Sequence, residues 1–306
     1  PANVTFCVPY GPGAKEKIAQ AAKGKDVCIL NGDLDDSILA SEELKWVHCC
    51  RAGVEKSTKP EVFERGIILT SSSGRSAPAL AEHALMFMLS LTYDLPMLMR
   101  AQKEHKWAVS REYSEKTGMY RKTVGVIGLG KTGSEVARLV KSFDMKVLAW
   151  DRRRKEAQNV DQVYGAENGD NLNELLAQCD YVVLSLELND QTFHIIDAAQ
   201  LAAMKKTAFL VNMGRGGLVN EPAMIEALKN GGIAGAGLDT FETEPLPSES
   251  PLWNLPNVII TPHITPQLPD KEERMLDYVY QNIKAYRENG TFVNRVTLRN
   301  MLTPQK

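Results

Sequence analysis

Ten short runs of consecutive apolar residues, rich in Val, Ile and Leu, recur along the chain and are separated by amphipathic stretches long enough for helices. They are Val4 to Val8, Val27 to Leu30, Trp46 to Cys50, Ile67 to Thr70, Val124 to Ile127, Val147 to Trp150, Tyr181 to Leu186, Phe209 to Asn212, Ile233 to Leu238 and Val258 to Thr261. A strand that is apolar at successive positions, not alternate ones, has both faces buried, which is the condition of a parallel sheet covered by helices. The pattern therefore predicts an α/β architecture. Four runs precede residue 71 and six follow residue 123, with a helical span from Pro78 to about Lys106 between them. In that span Ala81, Leu85, Met88 and Leu89 share one helical face, and Tyr93-Asp94-Leu95-Pro96 interrupts it as a natural hinge. After the last strand, Pro269-Asp270 opens one more helix through about Arg287 with no strands of its own, so it must dock on earlier structure. The 306 residues suit two cores. The expected division is a discontinuous domain of residues 1–92 plus 270–306, with residues 93–269 inserted as the second domain.

Charge and composition narrow the ligand classes. With 36 Lys and Arg against 38 Asp and Glu the formal charge is −2, so no global positive field draws nucleic acid or acidic membrane, and the ligand is expected to be small. Five cysteines, an odd number without C-x-x-C spacing, fit core thiols in a reducing compartment, and no metal site is expected. No apolar stretch approaches a membrane span, and the first residues lack a basic region followed by an apolar run, so a cytoplasmic location is expected.

One of the ten runs leads into a glycine-rich turn. Thr123-Val124-Gly125-Val126-Ile127 is followed by Gly128-Leu129-Gly130-Lys131-Thr132-Gly133 and an amphipathic helix, and Asp151 closes the next strand. A bare G-x-G-x-x-G is weak evidence; between a strand and a helix, with a carboxylate at that distance, it is the dinucleotide fingerprint. Gly128 permits the tight turn, Gly130 lets backbone approach the pyrophosphate, and Gly133 lets helix and strand pack closely. Amides at Lys131 and Thr132 face the anion at the helix N-terminus. Asp151 suits the adenosine ribose hydroxyls and repels a 2′-phosphate, so NAD is the favoured cofactor. Arg152-Arg153-Arg154-Lys155 reads either as a solvated basic turn or as a 2′-phosphate partner, which keeps NADP open.

Three later strand ends carry polar groups that a fold alone does not require. These are Val211-Asn212-Met213-Gly214-Arg215-Gly216-Gly217, Leu238-Asp239-Thr240-Phe241-Glu242-Thr243-Glu244-Pro245 and Thr261-Pro262-His263-Ile264-Thr265. In an open parallel sheet such ends converge on the cofactor crevice, so an arginine, a glutamate and a histidine can meet there. With these segments in this order, the chain from about Trp46 to Ile283 resembles the D-isomer-specific 2-hydroxyacid dehydrogenase family.

The resemblance implies two doubly wound parallel-sheet domains, a flavodoxin-like substrate domain and a Rossmann NAD domain, joined by hinge helices. It implies catalytic roles for Arg215, Glu244 and His263, a nicotinamide-side contact at Asp239, cofactor binding at Met213, and a substrate carboxylate held by backbone amides at Gly53 and Val54 together with Arg215. It also implies pairing as a homodimer through the cofactor domains. The chemistry agrees with those roles: hydride addition at C2 of a keto acid leaves negative charge on oxygen, which an imidazolium can protonate, while a guanidinium holds the carboxylate and polarises the carbonyl. The expected reaction is reduction of glyoxylate, hydroxypyruvate or pyruvate to the D-2-hydroxy acid by NADH. Two alternatives stay open: a phosphorylated substrate of the phosphoglycerate dehydrogenase type, hinted at by Arg51 and Arg75, and a non-catalytic NAD-sensing, corepressor-like protein. The chain departs from the family pattern at Glu55, where aspartate is usual, at Ser76, where asparagine is frequent, and at Glu187, where proline is customary. His48, His83, His105 and His194 are read as structural.

Overall fold

The computed structural model describes residues 5–7, 13–107, 113, 117–265 and 268–302. The chain divides into two compact units, Pro1–Arg75 with Pro269–Lys306, and Ser76–Leu268.

In the smaller unit, β1 (Val27–Leu30), β2 (Trp46–Cys49) and β3 (Ile68–Ser71) pair in parallel in that order, and the two-residue β11 (Arg295–Val296) closes the edge antiparallel to β3. The antiparallel strand departs from the all-parallel expectation. Two residues carry no periodicity, so the sequence had no way to announce it. Of the expected strand Val4 to Val8, residues 5–7 lie outside any strand and the rest fall outside the described residues. Helices α1 (Ala14–Ala22), α2 (Asp36–Leu39) and α3 (Pro60–Glu64) fill the connections. Helix α10 (Lys271–Glu288) docks where Tyr286 stacks on Trp46 at 5.5 Å and its hydroxyl donates to Asp26 at 2.9 Å. A buried polar line crosses this core: Trp46 Nε1 donates to Thr70 Oγ1 at 2.9 Å, and the His48 ring bridges Thr70 (2.8 Å) and Ser72 (3.0 Å).

The larger unit is built on seven strands, all parallel, in the order β10-β9-β8-β7-β4-β5-β6. They are β4 (Thr123–Ile127), β5 (Lys146–Trp150), β6 (Gln162–Tyr164), β7 (Tyr181–Leu184), β8 (Phe209–Asn212), β9 (Gly235–Leu238) and β10 (Val258–Ile260). This is the doubly wound order, with its reversal between β4 and β7. Six of the seven strands match the apolar runs; β6, with an exposed glutamine in three residues, gave no such signal. Strands β7, β8 and β9 are buried at almost every position, as a sheet covered on both faces requires.

One face is covered by α6 (Lys131–Lys141) together with α4 (Ala77–Thr92), which packs on α6, β8 and β9. For that reason α4 belongs to the larger unit, whereas the sequence-based boundary after residue 92 places it with the first. Its buried face also differs from the expected one. Ala81 and Met88 are buried with Ala84, Phe87 and His83, while Leu85 and Leu89 are only half-buried. The interruption follows as expected: Asp94 takes a left-handed conformation (φ 49°) and caps α5 (Leu95–Lys103) through Met97 N. On the other face lie α7 (Leu172–Leu176), α8 (Ala198–Ala203) and α9 (Glu221–Lys229).

Candidate active site

Every expected cofactor residue of the larger unit lies at or just beyond the carboxyl end of a strand of the seven-stranded sheet, where an open α/β sheet forms its crevice. Gly128 leaves β4 with φ 103°, a conformation that favours glycine. A Cβ on Gly133 would sit 1.9 Å from the Gly128 carbonyl oxygen, so the first turn of α6 lies directly on the loop it follows. Ser185, just past β7, clamps that loop by donating to the Gly128 carbonyl at 2.7 Å, a contact with no signal in the sequence. Gly130 is exposed, and a Cβ there would meet nothing within 4 Å. The loop thus presents bare backbone at the N-terminus of α6, beside Lys131 and Thr132, and this arrangement suits the pyrophosphate of a dinucleotide.

Asp151 follows β5. Its Oδ2 accepts from Leu129 N at 3.2 Å, and its Oδ1 accepts from the amides of Arg153 (3.0 Å) and Arg154 (2.9 Å). The carboxylate therefore stitches the glycine-rich loop to the basic turn in addition to placing negative charge there. In that turn Arg152 donates to Gln191 at 3.2 Å, while the side chains of Arg153 and Arg154 are exposed.

The three polar segments after β8, β9 and β10 are brought together. Asn212 bonds around the first loop, its Oδ1 accepting from Gly214 N (3.1 Å) and its Nδ2 donating to the Arg215 carbonyl (2.9 Å). Arg215 Nη1 donates to the Gly214 carbonyl at 2.7 Å. At the next residue, a Cβ on Gly216 would fall 1.9 Å from the carbonyl carbon of Phe241, so the arginine loop lies backbone to backbone on the loop that carries the glutamate. There Glu244 is fixed at both oxygens: Oε1 accepts from Phe241 N at 3.0 Å, and Oε2 lies 2.7 Å from His263 Nδ1. The His263 side chain is 46 % exposed, and with Nδ1 engaged its Nε2 is the nitrogen available to a ligand.

His263 sits in a left-handed conformation (φ 51°), and its neighbours are tied down by Asp239. Asp239 Oδ1 accepts from Thr261 Oγ1 (2.5 Å) and Ile264 N (3.1 Å), and its Oδ2 accepts from Thr265 Oγ1 (3.2 Å). Asp239 is 0 % exposed. Met213 is buried in the apolar cluster that includes α4. Gly53 and Val54 belong to the smaller unit, on the loop after β2, where the carbonyl of the buried Val54 accepts from Ser57 N (2.8 Å) and Thr58 N (3.1 Å). Nearby, Arg51 pairs with Asp33 at 3.4 Å, and Arg75 donates to the Cys50 carbonyl and approaches Met275 Sδ at 3.6 Å.

Of the histidines read as structural, His48 fits that role, being fully buried in the polar line of the smaller unit. His83, however, reaches the loop of His263, with Nε2 3.1 Å from Thr261 Oγ1. A histidine inside an apolar helix is the one signal that sequence offers for it.

No helix among the described residues is long and apolar enough to cross a membrane, and those residues hold no His/Cys/Asp/Glu cluster suited to a metal.

Comparison with known proteins gives this geometry a family. Residues 85–265 match the model of the D-isomer specific 2-hydroxyacid dehydrogenase NAD binding domain. A glyoxylate reductase of Korarchaeum cryptofilum is 34% identical over 281 residues, covering 90% of this chain and 84% of that one. A D-3-phosphoglycerate dehydrogenase of Methanocaldococcus jannaschii is 33% identical over 290 residues, but the chain spans only 54% of its length. Among solved structures, the NADPH-dependent glyoxylate/hydroxypyruvate reductase of Sinorhizobium meliloti, in complex with NADP and sulfate, superposes with a TM-score of 0.79 at 26% identity, covering 91% of this chain and 87% of that one. The cofactor class is accordingly NAD(P), and the chain belongs to the D-isomer specific 2-hydroxyacid dehydrogenase family.

Proposed function

We propose that the chain reduces a small, unphosphorylated 2-keto acid of the glyoxylate, hydroxypyruvate or pyruvate type to its D-2-hydroxy acid. The observation that carries this reading is the 2.7 Å contact of His263 Nδ1 with Glu244, on a loop packed against that of Arg215. Glu244 holds the Nδ1 proton and so fixes the tautomer and tilt of the ring. In its protonated form His263 gives its Nε2 proton to the substrate oxygen as C2 becomes tetrahedral, which leaves a neutral ring with Nδ1–H on Glu244, and in the oxidative direction Nε2 takes a proton back. Arg215 stays charged throughout, and its fork suits the substrate carboxylate and the polarised carbonyl. A reduced nicotinamide, when bound, supplies the hydride. Asp239 is assigned to its nicotinamide end, Met213 to cofactor binding, the glycine-rich loop to its pyrophosphate, and the amides of Gly53 and Val54 to the substrate carboxylate.

The unphosphorylated substrate class is supported by the relatives named glyoxylate reductase, most of whose length the chain spans. It is supported too by Arg51 and Arg75, which are already engaged with Asp33 and with the Cys50 carbonyl. For the cofactor we favour NADH, because the Asp151 carboxylate is held in place by three amides at the end of β5, where it suits ribose hydroxyls better than a 2′-phosphate. A homodimer is proposed from the exposed apolar side chains Met86, Tyr93, Leu95 and Met99 along α4 and α5, and a cytoplasmic setting from the five free cysteines. The test is loss of nicotinamide absorbance over a panel of 2-keto acids with NADH and NADPH in turn. Turnover that survives unchanged in His263→Ala rejects the mechanism, and preference for a phosphorylated acid rejects the substrate class.

A further inference from the structure

We infer that His83 is a positioning residue for His263, acting through the Thr261 hydroxyl and the Asp239 carboxylate. The inference deepens the dehydrogenase reading and rests on it, since that reading is what makes the placement of His263 matter.

The proton directions are fixed by the donor inventory. An ionised carboxylate only accepts, so the Thr261 hydroxyl, 2.5 Å from Asp239 Oδ1, spends its proton on Asp239. Its lone pairs are then what faces His83 Nε2 at 3.1 Å, so Nε2 carries the ring proton and donates. His83 Nδ1 is consequently bare, and it is buried without a hydrogen-bond partner among the described residues. His83 is 4 % exposed; burial pushes its pKa below the ordinary imidazole range, opposed in part by Asp239, and this keeps the ring neutral.

The bonds further along reach both sides of His263. Asp239 grips Thr261 on one side and Ile264 and Thr265 on the other, and the residue they bracket has a positive φ that a non-glycine residue adopts only under restraint. His83 supplies what this clamp lacks, a donor from outside the loop. Helix α4 is rigidly packed, so a bond from it to Thr261 ties the height of the loop above the sheet to the helix. An aliphatic side chain would fill the same space, pack equally well on Phe87 (4.7 Å) and avoid burying a bare nitrogen. What the histidine adds is the single N–H aimed at Thr261.

The experiment compares His83→Leu, which removes the donor, His83→Gln, whose amide can place an N–H near Nε2, and Thr261→Val, which removes that bond together with the Thr261–Asp239 bond. Steady-state kinetics with glyoxylate and NADH is one readout. Nitrogen-15 shifts of the His263 ring in the ligand-free protein are the other, assignable because the chain has only five histidines. Expected for His83→Leu is a fall in kcat of about 10- to 100-fold, the scale set by sub-ångström to ångström misplacement of a reacting group. KM should stay within about threefold, and the His263 pattern should shift from one tautomer toward exchange between two. His83→Gln should recover most of both, and Thr261→Val combined with His83→Leu should lose little beyond Thr261→Val alone, because the His83 bond is already gone there. Wild-type kcat and an unchanged His263 pattern in His83→Leu overturn the inference, as does a loss that His83→Gln fails to recover while all variants melt alike. If wild type turns over no keto acid the dehydrogenase reading fails, yet the ring shifts still decide whether His83 sets His263.

Discussion

Gly216→Ala isolates the contact on which assembly of the three segments depends. The added Cβ would lie 1.9 Å from Phe241 C, 2.0 Å from Phe241 O and 2.3 Å from Glu242 N, all backbone atoms. Ordinary contact with such atoms needs about 3.5 Å, so the arginine loop and the glutamate loop must separate by roughly 1.5 Å. No side-chain rotation can relieve this. A reacting group displaced by about 1 Å costs on the order of 100-fold in rate, and here Arg215 moves relative to Glu244, which itself holds His263 through the 2.7 Å bond. The expected result is a loss in kcat/KM of about 100-fold or more, with NADH affinity within about threefold of wild type, because the glycine-rich loop takes no part in the contact. Fluorescence titration of NADH and steady-state kinetics on glyoxylate separate the two effects, and melting curves report how much of the overlap is relieved by unfolding. Gly32→Ala, at a position where a Cβ meets nothing within 4 Å, is the control. Retention of kcat/KM within about threefold of wild type by a folded Gly216→Ala protein would refute the claim that close backbone approach of these loops builds the site.

At Gly130 the opposite balance is expected: Ala there meets nothing in the protein, so melting should be unchanged, yet it stands where a pyrophosphate would approach, and the Kd for NADH should rise about tenfold, near 1.4 kcal/mol; equal affinity would move the pyrophosphate elsewhere. Glu244→Gln preserves the shape but puts an amide opposite the imidazole, and kcat should fall about 100-fold with little change in folding; a kcat near wild type removes Glu244 from the mechanism. His48 gives a pH dependence of stability. Burial pulls its pKa down to about 4, against roughly 6.5 when unfolded, so between those values the unfolded chain binds a proton that the folded chain does not. Stability is therefore full above about pH 6.5 and declines as pH falls toward 4, by an amount on the order of 3 kcal/mol. Urea titrations from pH 7.5 to 4.5 should show a flatter decline in His48→Gln, and an identical slope in the two proteins would contradict the assignment.

How much of this was legible in sequence follows the range of the forces involved. Parallel strands buried on both faces must be apolar at every position, and so β4, β5, β7, β8, β9 and β10 stand out as runs. β6 and β11 are held by edge pairing over two or three residues, which leaves no pattern in composition. Among the site residues, the glycines of the cofactor loop and the three polar segments are visible because backbone approach and charge are properties of single residues in a known order. The bonds that hold them in place are not. Ser185 is an ordinary strand-end residue until its partner is known, and Asn212 and Thr261, though they lie within the polar segments, show what they fix only through their partners.

His83 shows the same limit from the helix side. The periodicity assigns Ala81, Leu85, Met88 and Leu89 to the buried face of α4, but the helix packs simultaneously on α6 and on β8 and β9, which widens that face to include His83 and Phe87 and leaves Leu85 and Leu89 half-buried. A helix wedged between two neighbours buries more than one stripe, and a polar residue on the added stripe must find a partner or be neutral. Here it does both, donating from one nitrogen to Thr261 and leaving the other bare. The side chain that looks like an exception to an apolar helix thereby joins the packing of the sheet to the loop of His263, and a substitution there should register in the chemistry before it registers in the fold.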